Sequence, residues 1–267
     1  MKSRAIVLLS LSVIASLAGC NQAKPTSESF NWKGPIAAGE WLRLRNVTGD
    51  FDIREGTGDS AEISLTIDRS SAYAPPAVIK VLKVGDGVLA CVLYGEDNNC
   101  SATEYSGGNT RKRSFFSFMR GSTSVHGTIV LPRGVKLDAA STNGDITVAA
   151  VGSDVILATT NGDIEARGTR GSVNVTTTNG DIDLGIDAIG TGLQIATTNG
   201  DVKVEMPTTL SAALTMSTTN GELDLGIPGN VTSKSAKQII ATLGTGGAPM
   251  AITTTNGDVT LRQRGSP

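Results

Sequence analysis

A short motif, Thr-Asn-Gly-Asp or a close variant, recurs six times in the second half of the chain and constrains the fold more than any other feature. The Asn-Gly pairs begin at Asn143, Asn161, Asn179, Asn199, Asn220 and Asn256. Subtracting neighbours gives steps of 18, 18, 20, 21 and 36 residues, and the last step equals two steps of 18. A repeat at a nearly fixed period predicts an array of similar structural units.

Alternating apolar and polar residues flank each copy of the motif. In one copy, Val173 and Val175 precede it, and Ile182, Leu184 and Ile186 follow it. This alternation predicts half-buried strands, and no segment shows a sustained helical period. With 32 Gly and only 4% aromatic residues, the composition also favours short strands and tight turns. The sequence therefore predicts an all-β fold.

Two arrangements of these strands satisfy the local pattern. Asn-Gly between alternating strands is a strong hairpin signal, and a hairpin would place Val175 opposite Leu184 with matched apolar faces. A hairpin, however, does not require Thr before the turn and an acidic residue after it in every copy. A parallel β-solenoid explains both, because coils about 4.8 Å apart stack equivalent residues. We predict the solenoid, with coils of about 18 residues, and keep an antiparallel meander or sandwich as the alternative.

Stacked coils would align the repeat residues in ladders along the solenoid axis. Asn amides would hydrogen-bond from coil to coil, and each Gly would let the chain turn a corner without a Cβ clash. The predicted turn ladder contains Asn143, Gly144, Asn161, Gly162, Asn179, Gly180, Asn199, Gly200, Asn220, Gly221, Asn256 and Gly257.

The acidic residue of each copy would form a column of like charges. Such a column is tolerable if the carboxylates extend into water, where salt screens them. The motif lacks the glycine-rich nonapeptide of calcium-binding rolls, so we predict no metal site and no cofactor. Calcium bridging stays as the alternative, at Asp145, Asp163, Asp181 and Asp201.

The N-terminus has the features of an export signal. Residues 1–19 contain Lys2 and Arg4 followed by an apolar run that is shorter than the ~20 residues of a membrane span. The motif LAGC, ending at Cys20, resembles the bacterial lipobox and implies a lipoprotein whose mature chain starts at a lipidated Cys20. Residues 20–34 are then the lipidated Cys and a flexible tether. In such lipoproteins an Asp after the Cys favours retention at the inner membrane, so Asn21 favours sorting to the outer membrane.

The rest of the chain divides into two predicted regions. Residues 35–137 form an N-terminal β-rich capping region, in which Thr48-Gly49-Asp50 looks like a decayed repeat at the edge of the stack. Residues 138–267 form the solenoid. In the capping region of an exported chain, Cys91 and Cys100 predict a disulfide, with two buried thiols as the alternative.

One segment of the capping region combines basic and aromatic residues. It contains Arg111, Lys112, Arg113, Phe115, Phe116, Phe118 and Arg120. This composition is compatible with nucleic-acid binding, but export argues against such a partner. Two interpretations stay open: a loop that docks on anionic lipid or lipopolysaccharide, or a loop whose Phe residues close one end of the core.

Features of an enzyme are few. His126 is the single histidine of the chain, and the GxSxG motif of a nucleophile elbow is absent. We therefore predict no catalytic residues. A polysaccharide lyase or hydrolase stays as an alternative, since β-helices can present paired carboxylates along a groove.

Three segments carry a family resemblance: "VHGTIVLPRGVKLDAASTNGDITV", "VGDGVLACVLYGEDNNC" and "LGTGGAPMAITTTNGDVTL". They resemble the putative-adhesin family of bacterial envelope proteins, over about residues 41–261. The resemblance implies a right-handed parallel β-helix in a cell-envelope protein. It favours a non-catalytic protein that binds surface polysaccharides or proteins through its repeat faces. A structural or regulatory envelope scaffold that binds a protein partner is the main alternative.

Overall fold

Two β-sheets enclose the apolar core of the chain. The computed structural model describes residues 24–95, 98–101, 104–108 and 121–264, and within these ranges its regular elements are all strands. The strands are β1 (Thr26–Pro35), β2 (Trp41–Arg45), β3 (Phe51–Glu55), β4 (Ser60–Arg69), β5 (Ala77–Val84), β6 (Gly87–Tyr94), β7 (Asn99–Cys100), β8 (Tyr105–Ser106), β9 (Thr123–Leu131), β10 (Lys136–Ala140), β11 (Ile146–Ala149), β12 (Val155–Ala158), β13 (Ile164–Thr169), β14 (Val173–Thr176), β15 (Ile182–Ile186), β16 (Leu193–Asn199), β17 (Val202–Met206), β18 (Ala212–Asn220), β19 (Leu223–Gly226), β20 (Asn230–Lys234), β21 (Gln238–Leu243), β22 (Pro249–Asn256) and β23 (Val259–Gln263).

The order of strands differs from their order in the chain. Sheet A has the order β1-β4-β9-β3-β11-β13-β15-β17-β23-β19. Sheet B has the order β20-β21-β18-β22-β16-β14-β12-β10-β2-β6-β5. Strands β7 and β8 form a separate small hairpin.

Consecutive strands in the repeat region alternate between the two sheets. Strand β10 lies in sheet B, the turn at Asn143 leads into β11 in sheet A, and β12 returns to sheet B parallel to β10, with Leu137 opposite Val155. We call one strand of sheet B, its turn and the following strand of sheet A a level. The predicted all-β fold with stacked parallel strands is confirmed. The meander alternative is wrong here, because the two strands beside each Asn-Gly turn belong to different sheets.

The apolar residues of each strand point into a single core between the sheets. Leu157, Ile164 and Leu184 are almost completely buried, and they belong to one cluster that includes residues of both sheets along the whole stack. Each Å² of apolar surface that is removed from water stabilises the folded state by roughly 25 cal/mol. The alternating sequence pattern therefore fixes which face of each strand points inward.

The last repeat does not lie at the end of the stack. Strands β22 and β23 insert between the β16/β17 level and the β18/β19 level, so that Asn256 pairs with both Asn199 and Asn220. The final step of 36 residues, although it equals two steps of 18, therefore does not add two coils to the end of the stack. The intervening chain instead forms the antiparallel strands β20 and β21 beside β18.

The predicted edge position of Thr48-Gly49-Asp50 is also wrong. Its level, β2 and β3, is internal: β6 and β9 lie beyond it as parallel neighbours. Antiparallel strands β5, β4 and β1 then close this end of the stack. The capping strands thus extend the sheets of the repeats, and the predicted boundary between residues 137 and 138 falls inside β10.

The predicted flexible tether is shorter than expected. From Thr26 onward the segment forms β1 and pairs with β4, with Trp32 opposite Ile63. Cys20, the signal segment 1–19 and the basic-aromatic residues 111–120 lie outside the described residues. Within the described ranges, no helix has the length and apolar character needed to cross a membrane.

Candidate ligand-binding groove

The predicted turn residues form a continuous ladder at one corner of the stack. Five of the six Asn side-chain amides donate to the side-chain oxygen of the Asn on the neighbouring level, at 2.7 to 2.9 Å, and the Asn143 amide donates to the Val47 carbonyl at 3.4 Å. In spatial order the ladder runs Asn143, Asn161, Asn179, Asn199, Asn256, Asn220.

The Gly after each Asn is required by close approach of the levels. At Gly180, a Cβ would lie 2.0 Å from the carbonyl oxygen of Gly162, and φ is +154°. No L side chain fits such a gap. The Gly residues therefore set the spacing of the corner.

The two residues before each Asn, which are Thr-Thr in five copies and Ser141-Thr142 in the first, have different environments. The first Thr is buried, and its hydroxyl donates to the Gly carbonyl of the neighbouring level, as from Thr159 Oγ1 to Gly144 at 3.1 Å. The second Thr, such as Thr160, is exposed. Only the first Thr thus satisfies a buried backbone acceptor.

The acidic column has a structural role that the sequence analysis missed. Oδ1 of Asp145 accepts the backbone N–H of Asp163 at 2.8 Å, and the same contact recurs from level to level. Each of these carboxylates therefore receives a hydrogen bond from the adjacent coil. Among the described residues, no group of three or more His, Cys, Asp or Glu side chains is arranged to hold a metal ion.

A disulfide joins Cys91 in β6 to Cys100 in β7. Both residues are buried, in a small cluster with Leu89 and Leu93 on the outer side of β6. Tyr105 packs against this cluster and donates from its hydroxyl to the Val92 carbonyl at 2.8 Å. The disulfide thus holds the β7–β8 hairpin over sheet B. His126 lies in β9, half-exposed, with Nε2 3.7 Å from the Asp68 carboxylate.

The outer faces of the two sheets differ in charge. The five neighbouring strands β12, β14, β16, β22 and β18 of sheet B contain no charged residue. The corresponding strands of sheet A all contain charges, which pair across neighbouring strands, as between Arg167 and Asp183 at 2.6 Å. The charged residues of those sheet A strands are Glu165, Arg167, Asp183, Lys203, Glu205, Arg262 and Asp224. The uncharged face of sheet B is therefore the one where a neutral ligand loses no ion pair.

A shallow groove of about 410 Å³ crosses the uncharged strands β12, β14, β16 and β22 and ends beside the charged residues around Trp41. Trp41 lies at one end, on β2, and Pro249 and Ala251 lie at the other end, on β22. The four strands whose residues line the groove, β12, β14, β16 and β22, span three strand spacings, roughly 14 Å, and the Trp41 ring extends the groove beyond β12. Its length and open shape fit an extended chain better than a compact small molecule. The remaining lining residues are Asp154, Val155, Ile156, Ser172, Val173, Asn174, Thr191, Gly192, Leu193 and Gln194.

Two cations hold the Trp41 ring at the end of the groove. The Arg43 guanidinium lies 5.6 Å and the Lys136 ammonium 5.5 Å from the ring centre. Lys136 also pairs with Asp154 at 3.0 Å, and the Ser172 backbone N–H donates to the same carboxylate. Desolvation raises the pKa of Asp154, but these hydrogen bonds and the Lys136 charge outweigh it, so the pKa lies below its ordinary value.

The middle of the groove presents polar groups that the protein does not use. Asn174 and Gln194 are adjacent on β14 and β16, exposed, and their side-chain amides hydrogen-bond to no described residue. The hydroxyls of Ser172 and Thr191 bond to each other at 2.7 Å beside them. Among the described residues that line the groove, Ile156 is the one large apolar side chain that is exposed to solvent, at 37%. The groove thus combines an aromatic ring, an apolar side chain and unpaired amides.

Comparison with known proteins identifies the family. The model of the Toastrack DUF4097 family matches residues 93–262, which is 170 of the 267 residues. The chain belongs to the Toastrack DUF4097 family. The predicted resemblance to this class of bacterial proteins is thereby confirmed. A comparison with curated proteins finds no significant match.

Solved structures resemble this Toastrack protein at low identity. A crystal structure described as a putative cell adhesion protein from Clostridium sporogenes is 11% identical, with a TM-score of 0.45, covering 90% of this chain and 100% of that one. A putative adhesin from Bacteroides fragilis is 10% identical, with a TM-score of 0.33, covering 90% of this chain and 99% of that one.

The family match includes all six Asn-Gly turns, but it begins at residue 93 and so does not include Trp41. One end of the groove therefore belongs to the part of the chain outside the match. Trp41, Asn174 and Gln194 were not among the functional residues predicted from the sequence. The signal available was the absence of charge from every second strand of the repeats, whereas the position of Trp41 depends on β2 pairing with β10, far along the chain.

A second cavity, of about 350 Å³, lies near the disulfide hairpin. Arg43 and Arg45 line it, together with Glu104 and Tyr105. Both guanidinium groups already make two-point contacts with carboxylates, Arg43 with Asp86 and Arg45 with Asp138. Because their charge is compensated, this cavity is a weaker candidate for a ligand site than the Trp41 groove.

Proposed function

We propose that this Toastrack protein is a non-catalytic, adhesin-like component of the cell envelope that binds an uncharged, linear surface polysaccharide in the Trp41 groove. The observation that carries the proposal is a groove that crosses four neighbouring charge-free strands of sheet B and ends at the Trp41 ring. A long polymer gains one set of contacts per level on such a surface, whereas a small ligand would use only part of it.

The chemistry of the groove supports a sugar ligand. Sugars offer apolar C–H faces, which stack on aromatic rings such as Trp41, and hydroxyls, which pair with amides. The unpaired amides of Asn174 and Gln194 provide both donors and acceptors. Because these exposed amides hydrogen-bond to no described residue, their hydrogen-bonding capacity is available to a ligand.

Binding without catalysis agrees with the state of the carboxylate in the groove. Hydrolysis of a glycosidic bond needs a general acid with a raised pKa, in addition to a second carboxylate. The pKa of Asp154 is instead lowered, and its oxygens are engaged by Lys136 and Ser172. We propose that binding also requires no calcium, since the Asp corner carboxylates accept backbone N–H groups.

The proposed location is the outer membrane, with the chain anchored by a lipid on Cys20. Support comes from the LAGC motif and from Asn21. Metabolic labelling with palmitate and membrane fractionation test this directly. Label on the wild type but not on C20S, in the outer-membrane fraction, is expected; a released, unlabelled wild-type chain would refute the anchor.

We further infer that the levels wind as a right-handed solenoid with about 18 residues per coil. Parallel strands of one sheet joined through a crossover are right-handed in about 98% of cases. The 18-residue offset between paired strands such as β12 and β14 supports the coil length. A crystal structure tests both, and a left-handed winding would refute the inference.

The test of binding is a screen of neutral and anionic glycans and envelope polymers against the chain from Asn21 to its C-terminus. The variants W41A and N174A/Q194A are compared with T147A, which alters an exposed Thr on sheet A instead. Each groove variant should weaken binding about tenfold or more, the effect of losing a central contact. T147A and EDTA should have no effect. A variant that neutralises the basic residues at 111–120 measures separately whether that segment docks on anionic lipid.

The outcomes separate the alternatives. Saturable binding of a neutral polymer that W41A and N174A/Q194A both weaken supports the proposal. Binding that the groove variants leave unchanged refutes the site. No binding to any polymer, by a folded protein, refutes the polymer ligand and makes co-purification of a protein partner the next measurement, while release of shortened chains would indicate an enzyme.

A further inference from the structure

The six Asn-Gly turns share nearly the same local sequence but not the same hydrogen bonds. In five of them the Gly backbone N–H donates to the Asn carbonyl of the adjacent level, as from Gly162 to Asn179 at 3.0 Å. The donors are Gly144, Gly162, Gly180, Gly200 and Gly257. The side-chain oxygen of the Asn in each of these turns also accepts a hydrogen bond from the next Asn amide.

The turn at Asn220-Gly221 lacks both contacts. Strand β19 is the last strand of sheet A, so no further level of the described residues lies beyond this turn. The Gly221 N–H donates to no described residue, and the Asn220 side-chain oxygen accepts from none. The Asn220 amide is held on one side only, by donation to Asn256 at 2.8 Å. Lys237 covers the Gly221 carbonyl, at 3.0 Å, but leaves the N–H open.

We propose that Asn220-Gly221 is a site of spontaneous deamidation in the folded protein, and that the stack protects the other five turns. The Gly221 nitrogen attacks the side-chain carbonyl carbon of Asn220, loses its proton to solvent base, and displaces ammonia to form a cyclic imide. Water then opens the imide at either carbonyl and leaves aspartate or isoaspartate. The net reaction consumes one water and releases one ammonia, with no oxidant or reductant.

The reaction needs a free backbone N–H and a side-chain carbonyl that can turn towards it. In the five inner turns both groups are hydrogen-bonded across levels, so the reaction requires the stack to open first. Local opening of a strand that is paired on both sides requires a large free energy, whereas opening of a strand at the end of a sheet requires little. Gly also leaves the attacking nitrogen unhindered, because no side chain shields it.

The modification would change the charge at this end of the stack. A carboxylate at residue 220 would lie two residues from Glu222, and it could not donate to the Asn256 oxygen as the amide does now. Isoaspartate would in addition lengthen the backbone by one carbon beside β19. The expected result is a loosened β18/β19 level in aged protein, with the inner ladder intact.

The test is peptide mapping by mass spectrometry of the chain from Asn21 to its C-terminus, incubated folded in a mildly alkaline buffer. Conversion of the side-chain amide to a carboxyl group, and methylation by an isoaspartyl methyltransferase, identify the products. Asn220 should react at least about tenfold faster than any other Asn-Gly pair, because only that turn lies at an open sheet end. The variant N220Q should abolish the dominant signal.

The same chain unfolded in denaturant is the control. All six pairs should then react at similar rates, because their local sequences are nearly identical. E222D makes the local motif the same as in the other copies and should keep the preference in the folded state. Equal rates at Asn220 and Asn256 in the folded protein, no reaction at Asn220, or an equal preference for Asn220 in the unfolded chain would each overturn the proposal.

Discussion

The side-chain amide of Asn256 donates a hydrogen bond to Asn199 at 2.7 Å, although 57 residues separate them in the chain. This contact shows that the last repeat fills a gap between the levels of Asn199 and Asn220. Within the part of the chain that the structure describes, the only parallel neighbours of β18 and β19 are β22 and β23. The level that ends the stack is therefore completed only when the C-terminal strands are in place.

The inserted topology predicts which Asn matters more for stability. Asn256 has amide partners on two levels, whereas Asn220 has one. N256A should therefore destabilise the protein more than N220A, by roughly 1 kcal/mol, the net value of one hydrogen bond. Urea unfolding of the two variants measures the difference. If the stack followed chain order, Asn256 would be terminal and the ranking would be reversed.

The different environments of the two Thr residues in the repeat predict that replacing each of them by Val has a different effect on stability. Thr197 is buried and donates to the Gly180 carbonyl at 3.3 Å, whereas its neighbour Thr198 is exposed. T197V should cost about 1 kcal/mol, because it leaves a buried carbonyl without its donor. T198V should stay within about 0.5 kcal/mol of the wild type. Thermal unfolding with circular dichroism checks both, and equal effects would contradict the assigned roles.

The sequence predicts the strands and the corner of this fold well, because both depend on local periodicity. Alternation places Val173 and Val175 in the core, and the repeat places equivalent Asn residues over each other. The position of Asn256 was not predictable, because inserting the last level satisfies the same local pattern as adding it at the end. The groove was missed because Trp41 and Gln194 meet on one face only through pairings between distant segments.

Close packing of the corner predicts a large effect of adding one methyl group. G180A places a Cβ 2.0 Å from the Gly162 carbonyl oxygen. We expect a loss of about 3 kcal/mol, the upper end of ordinary single substitutions. G85A is the control, because nothing lies within 4 Å of its Cβ. Chemical denaturation of both variants measures the contrast, and a G180A protein as stable as G85A would show that the levels separate at the corner.

The loss of stability at acid pH should depend on the Asp187 carboxylate, which pairs with Arg264 after the last strand. Hydrogen bonds from Arg264 and Arg170 to Asp187 hold the pKa of Asp187 below its ordinary value, despite partial burial. A carboxyl whose pKa is lower in the folded state stabilises the protein fully above its unfolded pKa of about 3.9. That stability is lost as the pH falls through the folded pKa.

D187N should therefore reduce stability near neutral pH by about 0.5–1 kcal/mol, since the pair is partly exposed to solvent. At pH values below the folded pKa of Asp187, the variant and the wild type should converge, because the wild-type carboxyl is then neutral as well. Unfolding free energies measured across the acid range check the convergence. D224N, at an exposed pair with Arg262 at 3.5 Å, is the control and should follow the wild type throughout. A constant gap between D187N and wild type at all pH values would show that the amide disturbs packing and that the ion pair contributes nothing.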